Sequence, residues 1–294
     1  MRLVSLMNNV ILGHNPLFGV NHHSQKQGIQ KALAFQDPKN INNFLDIAYE
    51  KGYRNMMLST HPNAIQFLNN VRKTELKNQI NFYPLLPYMQ KYVRKSNEGG
   101  ILKMVSDLFK TTGTFRGISL MAKAGFSGLS QNTETLIKTA VQIEFDNFKQ
   151  LKCERVFLHN AITDLLIGLD MRDPILIFLD FVTNEIGAKA GFGTLNLPYA
   201  IKKFNEWGLN DQYFMAPFNK NGHQMNPNLK DNVDSLKANK DVKVLAMSTL
   251  ASGTISVDEA FSFLKTINNI DSIVVGISNP KHLSSTMESF KKIK

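Results

Sequence analysis

Eight short apolar runs, each followed by a segment of helical spacing, recur along almost the whole chain, and this alternation constrains the fold more than any other feature. The runs lie at residues 9–13, 54–59, 81–86, 155–159, 189–194, 212–218, 242–248 and 272–277. Between them, residues 40–51, 198–207, 228–238 and 257–267 read as helices, several of which end at Gly or Asn. Apolar strands alternating with helices predict a parallel sheet buried on both faces. An open doubly wound sheet would be expected to carry a Gly-rich dinucleotide turn after an early strand, and no such turn is present. Eight such units that close on themselves make an α/β fold, the (β/α)8 TIM barrel.

At 294 residues and 43% hydrophobic, the chain is long enough to bury the core of one such barrel, so residues 1–294 read as a single domain. The connection after the third strand is too long for one helix. It separates into segments 97–111, 115–128 and 133–151, with a short extra strand conceivable at 117–121. We read 97–133 as an insertion or lid, and 21–37 as a second long polar loop.

The net charge of +10 favours a small anionic partner. The lysines are dispersed over helices rather than gathered, so no nucleic-acid partner is expected. A single cysteine, Cys153, allows no internal disulfide and points to a reducing compartment. The N-terminus lacks a secretory pattern, and Asp180 breaks the most apolar stretch, 175–182. A cytoplasmic location away from membranes is therefore expected.

In a TIM barrel the C-terminal ends of the strands surround one site. Here those ends are rich in His and Asn: His14 and Asn15 after the first strand, then Asn21, His22 and His23; Ser59, Thr60 and His61 after the second. His159 and Asn160 follow the fourth strand, and Asn219, Lys220 and His223 the sixth. His159, His61 and His14 are the candidate catalytic residues, with His159 placed best, at the end of a buried run, to act as acid, base or oxyanion donor. Asn15, Asn160 and Asn219 are the candidate substrate ligands. Almost no carboxylate sits at these ends, the nearest being Asp164. Such a mouth should be neutral to positive and is unsuited to magnesium or calcium. Three imidazoles from separate strands would suit zinc, but no local motif supports it, and no metal is expected.

After the last strand, Gly276, Ser278 and Asn279 precede Pro280 and Lys281, a capped helix start suited to an anion. Ser248, Leu250 and Ser252 follow the seventh strand. The stretches 244–253 and 275–283 resemble the last two strand-loop units of the aldo/keto reductases, and the likeness extends from Leu12 to about Met287 except at the insertion. The resemblance implies an oxidoreductase that uses NAD(P)H on a small carbonyl or anionic substrate. The implied cofactor ligands are Ser248, Leu250, Ser252, Gly276, Ser278, Asn279 and Lys281.

Of that family's Asp, Tyr, Lys and His tetrad, only the histidine maps, onto His159. The aspartate position is Met57, the tyrosine position falls near Pro62 and the lysine position near Leu85 or Leu86. Gly193 and Thr194 replace the Ser-Asn pair that holds the carboxamide, Met247 replaces the stacking aromatic, and 284–286 lack the adenine-side Glu and Asn. Two other readings stay open. One is a non-redox lyase, isomerase or hydrolase working through the His/Asn mouth on a phosphorylated or carboxylated metabolite. The other is a ligand-binding barrel without turnover.

Overall fold

The computed structural model describes residues 9–19, 33–35, 37–88 and 131–293. Its strands are β1 (Asn9–Gly13), β2 (Asn55–Leu58), β3 (Asn81–Leu86), β4, β5 (Lys189–Gly193), β6 (Tyr213–Pro217), β7 (Lys243–Met247) and β8 (Ile270–Gly276). β4 is broken at Glu154: Lys152–Cys153 pairs with the start of β3, and Arg155–Leu158 with its end. All pairings are parallel, each strand lies beside its sequence neighbours, and β1 pairs with both β2 and β8, which closes the barrel. The eight expected runs are all strands, with ends within two residues of those read from apolar pattern except at the start of β4, which begins three residues earlier, at Lys152.

The longer helices among the described residues are α1 (Pro38–Glu50), α2 (Pro62–Val71), α3 (Gln131–Phe145), α4 (Asn160–Gly168), α5 (Arg172–Asp180), α6 (Leu197–Glu206), α7 (Leu229–Ala238), α8 (Val257–Lys265) and α9 (Pro280–Ile293). Their starts follow local capping chemistry. Asp37 and Asn228 accept from backbone N–H groups at the heads of α1 and α7, and Ser256 with Glu259 forms a reciprocal capping box on α8. Among the described residues, no helix is long and apolar enough to cross a membrane.

Of the long connection between β3 and β4, residues 87–88 and 131–151 are described, and they include α3. The expected segments 97–111 and 115–128, the extra strand 117–121, and Asn21, His22 and His23 lie outside the described residues.

Strand alternation sorts side chains into two cores. Ile11, Met57, Tyr83, Leu85, Phe157, Met215 and Leu245 fill the barrel, while Val10, Leu12, Met56, Leu58, Phe82, Val156 and Leu158 face the helices. Gly191 makes room inside, since a Cβ there would lie 2.5 Å from Phe157 Cε1. A polar layer closes the N-terminal end: Asn55 Nδ2 donates to Asn9 Oδ1 at 3.5 Å, and Asn81 Nδ2 to Asn55 Oδ1 at 3.4 Å. Beside it, the Arg155 guanidinium lies 3.8 Å from the centre of the Tyr213 ring. That end reads as stability, and the opposite end holds the candidate site.

Candidate functional site

The inward parity that puts Met57 in the barrel also directs Ser59, two residues on, toward the mouth. There Ser59 Oγ lies 3.0 Å from His14 Nε2, and both residues are buried, at 2% and 8% exposure. Burial lowers the pKa of His14 to about 4; the positive fields of His61 and His159 push the same way, against a hydrogen bond to the Met57 backbone. The field of both other imidazoles at His14 shows that the three candidate histidines come together. Thr60 donates instead to Glu144 of α3, a buried carboxylate. The expectation that almost no acid approaches these strand ends misses it, because it arrives from a helix 84 residues away in sequence.

His61 and His159 occupy equivalent positions, each the N-cap of the helix that leaves its strand. His61 Nδ1 accepts from Asn63 N at 3.1 Å, and His159 Nδ1 accepts from Ala161 N at 3.2 Å. A neutral imidazole carries one proton, so a ring that accepts at Nδ1 holds it on Nε2. Burial lowers the pKa of His159 to about 4, so at neutral pH its ring is an uncharged Nε2–H donor. The helix N-terminus reinforces this, since its partial positive charge disfavours a second proton. The ring of His61 stacks on Phe18, with centroids 4.9 Å apart and planes 9° apart, and makes a T-shaped contact with Tyr88 at 5.2 Å. A metal at Nε2 would require the proton on Nδ1, which would set N–H against N–H at both caps. Among the described residues, no group of three His, Cys, Asp or Glu is placed to hold a metal.

The asparagines divide by role. Asn160 is half-buried as the first residue of α4, and Asn15 is exposed in the short 3-10 turn after β1. Asn219 has no exposed surface; its Nδ2 donates to His223 O and its Oδ1 accepts from His223 N, both at 2.8 Å, so it shapes its own loop rather than lining the mouth. Asp164 likewise braces the scaffold. It accepts from Thr194 Oγ1 at 2.6 Å and Leu195 N at 2.9 Å, and burial raises its pKa.

Beyond β7 the backbone is strained. Ser248, Ala251 and Ser252 all have positive φ, at 53°, 44° and 61°, a conformation costly for residues with a Cβ. Gln224, with φ 59°, and His223 lie against this turn: Ser248 Oγ donates to Gln224 Oε1 at 3.2 Å, and Ser252 Oγ lies 3.3 Å from His223 Nε2. Between them sits Thr249, 2% exposed, whose Oγ1 finds no hydrogen-bond partner among the described residues. A buried hydroxyl without a partner in a strained turn suits an oxygen-bearing ligand. The sequence reading passed over Thr249 because only the structure reveals its unmet demand. Leu250 packs partly on the core.

At the end of β8, Asn279 Oδ1 accepts from Lys281 N at 3.0 Å and Asn279 O accepts from His282 N at 3.0 Å, so the expected cap forms. Ser278 is half-buried and Lys281 exposed beside it. Gly276 makes room for Pro16, whose Cγ would lie 2.9 Å from an added Cβ.

No family model matches the sequence, and no curated protein matches it. Solved structures do. A Pseudomonas aeruginosa protein provisionally described as an aldo-keto reductase aligns with TM-score 0.60 and 12% identity over 100% of this chain and 95% of its own. An aldo-keto reductase from a Medee basin deep-sea metagenome aligns with TM-score 0.53 and 10% identity over 98% of this chain and 92% of its own. The Bacillus halodurans aldo-keto reductase, in its holo form, aligns with TM-score 0.54 and 11% identity over 87% and 82%. The chain is a divergent TIM barrel of aldo-keto reductase-like fold.

Gly193 ties strand five to the histidine. A Cβ there would lie 2.8 Å from Asn160 N and 3.1 Å from Leu158 O, backbone atoms on either side of His159. Gly193→Ala is expected to displace His159 and to destabilise the fold by about 1–3 kcal/mol. Urea unfolding together with ligand affinity checks this, and an unchanged midpoint would contradict the close approach.

Proposed function

We propose that this protein is an aldo-keto reductase-like oxidoreductase acting on a small carbonyl compound, with His159 as the hydrogen-bond donor to the reacting oxygen. The observation that carries this reading is the cap on Nδ1, which sets His159 as an uncharged Nε2–H donor at the end of β4. Such a donor polarises a carbonyl and stabilises negative charge on its oxygen without itself changing charge. His14 lies within electrostatic reach of both His159 and His61. Phe18 and Tyr88 supply aromatic surface beside His61.

The residues present fit the phosphate-bearing part of a nicotinamide dinucleotide. Thr249 Oγ1 lacks a partner among the described residues, and Ser248, Ser252 and Ser278 add hydroxyls and Lys281 a cation. NADP bound there would supply hydride. The carboxamide end is held less well, since Thr194 is fully buried and bonded to Asp164 and to Asn196 N. That same feature favours, as a second reading, a non-redox enzyme whose small anionic substrate places its own phosphate at these turns.

Thermal unfolding with NADPH and with NADH separates the two. A shift that saturates at micromolar cofactor supports the reductase reading, and no shift with either moves the assignment to the second. Ser278→Glu, which sets a carboxylate against the anion, should weaken cofactor binding at least about tenfold; unchanged binding would remove Ser278 from the site.

A further inference from the structure

The Ser59–His14 pair is not needed to polarise a carbonyl, yet it has the parts of an activated nucleophile. Ser59 Oγ lies 3.0 Å from His14 Nε2, and the His14 ring also hydrogen-bonds the Met57 backbone. That second bond favours the protonated ring, as it does when the ring donates to a carbonyl. With Nε2 facing Ser59, the donating nitrogen is then Nδ1, and Nε2 is left to accept the serine proton. A hydroxyl, a base within hydrogen-bond reach and a third group that fixes the base's tautomer are what nucleophilic acyl transfer requires. The pair stands at the barrel mouth, where β1 and β2 end side by side with Gly13 opposite Met57. The second imidazole pair, at the heads of α2 and α4, lies close enough to influence His14 electrostatically.

We propose that Ser59 is an acyl-accepting nucleophile with His14 as its general base, giving the barrel an acyl-transfer activity on small activated esters or thioesters. Ser59 Oγ bonds to the acyl carbon while its proton passes to His14 Nε2. The bond from that carbon to the leaving oxygen or sulfur breaks, and the leaving group takes the proton from His14. Water, deprotonated by the same imidazole, then hydrolyses the serine ester, and no oxidant or reductant is needed. His159 Nε2–H would meet the charge that develops on the carbonyl oxygen. The substrate class follows from the site. His14 is neutral and able to accept a proton at ordinary pH but is a weak base, so the leaving group must be a good one, an aryl oxide or thiolate. The burial of both residues restricts the acyl group to a small one such as acetyl.

The test uses p-nitrophenyl acetate and the full chain without any nicotinamide cofactor. The expected result is a burst of nitrophenolate and one acetyl group located on Ser59 by peptide mass spectrometry. Ser59→Ala should lose the adduct, and His14→Asn should slow its formation at least about a hundredfold. Ser59→Cys, which keeps a nucleophile in place, should be acetylated at the same position and guards against a folding defect in the alanine variant. No adduct on the folded wild-type protein, or one on another residue that persists in Ser59→Ala, would overturn the proposal. The NADPH-induced thermal shift of the same preparations reads the reductase assignment separately, because acylation does not depend on it.

Discussion

His159→Ala is expected to lower kcat/KM for NADPH-dependent carbonyl reduction at least about a hundredfold, the usual scale for removing one donor to a developing oxyanion. The alanine removes two things, the Nε2–H and the cap on the Ala161 N–H. Loss of the cap costs about 1 kcal/mol of stability. His159→Asn separates the two roles. Its side-chain oxygen restores the cap, and its NH2 is shorter than an imidazole and reaches the ligand less well, so stability should return while most of the rate loss remains. If both variants keep wild-type kcat/KM to within a few-fold, His159 is a cap and nothing more. The pH profile gives a second check. Because the ring is neutral above about pH 4, the wild-type rate should show no limb near the ordinary histidine pKa of 6.5 arising from this residue.

Acid should destabilise the fold in a window set by the same burial. His14 and His159 both have pKa values lowered from 6.5 to about 4 in the folded protein. Between pH 6.5 and 4 the unfolded chain therefore takes up protons that the folded one does not. Stability should be at full value above pH 6.5, fall as pH drops through this window, and level off with respect to these groups below about 4. Each histidine accounts for a loss of about 3 kcal/mol at most, so the pair is comparable to half the stability of a typical domain. Asp164, with its pKa raised by burial, pulls the other way. Urea unfolding of the wild type at pH 7.5 and 5 should show a clear fall in midpoint, and His14→Asn or His159→Asn should flatten it. A wild-type midpoint independent of pH across this range would contradict the desolvated, neutral rings.

Most of the barrel was legible because strand burial on both faces is written directly as apolar runs. Even the tight strand-eight cap could be read from Asn279, Pro280 and Lys281, since capping is local chemistry. The bringing together of His14, His61 and His159 was also accessible, because barrel topology alone places the ends of β1, β2 and β4 near one another. What each ring does was not. The tautomers of His61 and His159 depend on backbone N–H groups two residues on, that of His14 on the Met57 backbone, and the charges of His14 and His159 on burial, and none of these is a property of spacing. Asn219 looked like a ligand in sequence because a strand end rich in polar residues does not say which of them turn back into their own loop. Thr249 and Glu144 were missed for related reasons: one is distinguished only by an unmet hydrogen bond, and the other reaches Thr60 from a distant helix. Ser59 stood in the sequence at the end of its strand, but its contact with His14 crosses to a different strand and is not a property of spacing.

The central claim is that the mouth works through an uncharged His159 held as an Nε2–H donor, and two-bond proton–nitrogen correlation spectra of protein labelled with nitrogen-15 histidine report this directly. At pH 7 the pattern for His159, assigned by its loss in His159→Asn, should be that of a neutral ring protonated at Nε2. The same pattern should persist to pH 5. A ring protonated at Nδ1, or one carrying both protons at pH 7, would contradict the account, because the donor it assigns to the reacting oxygen would then be absent or charged.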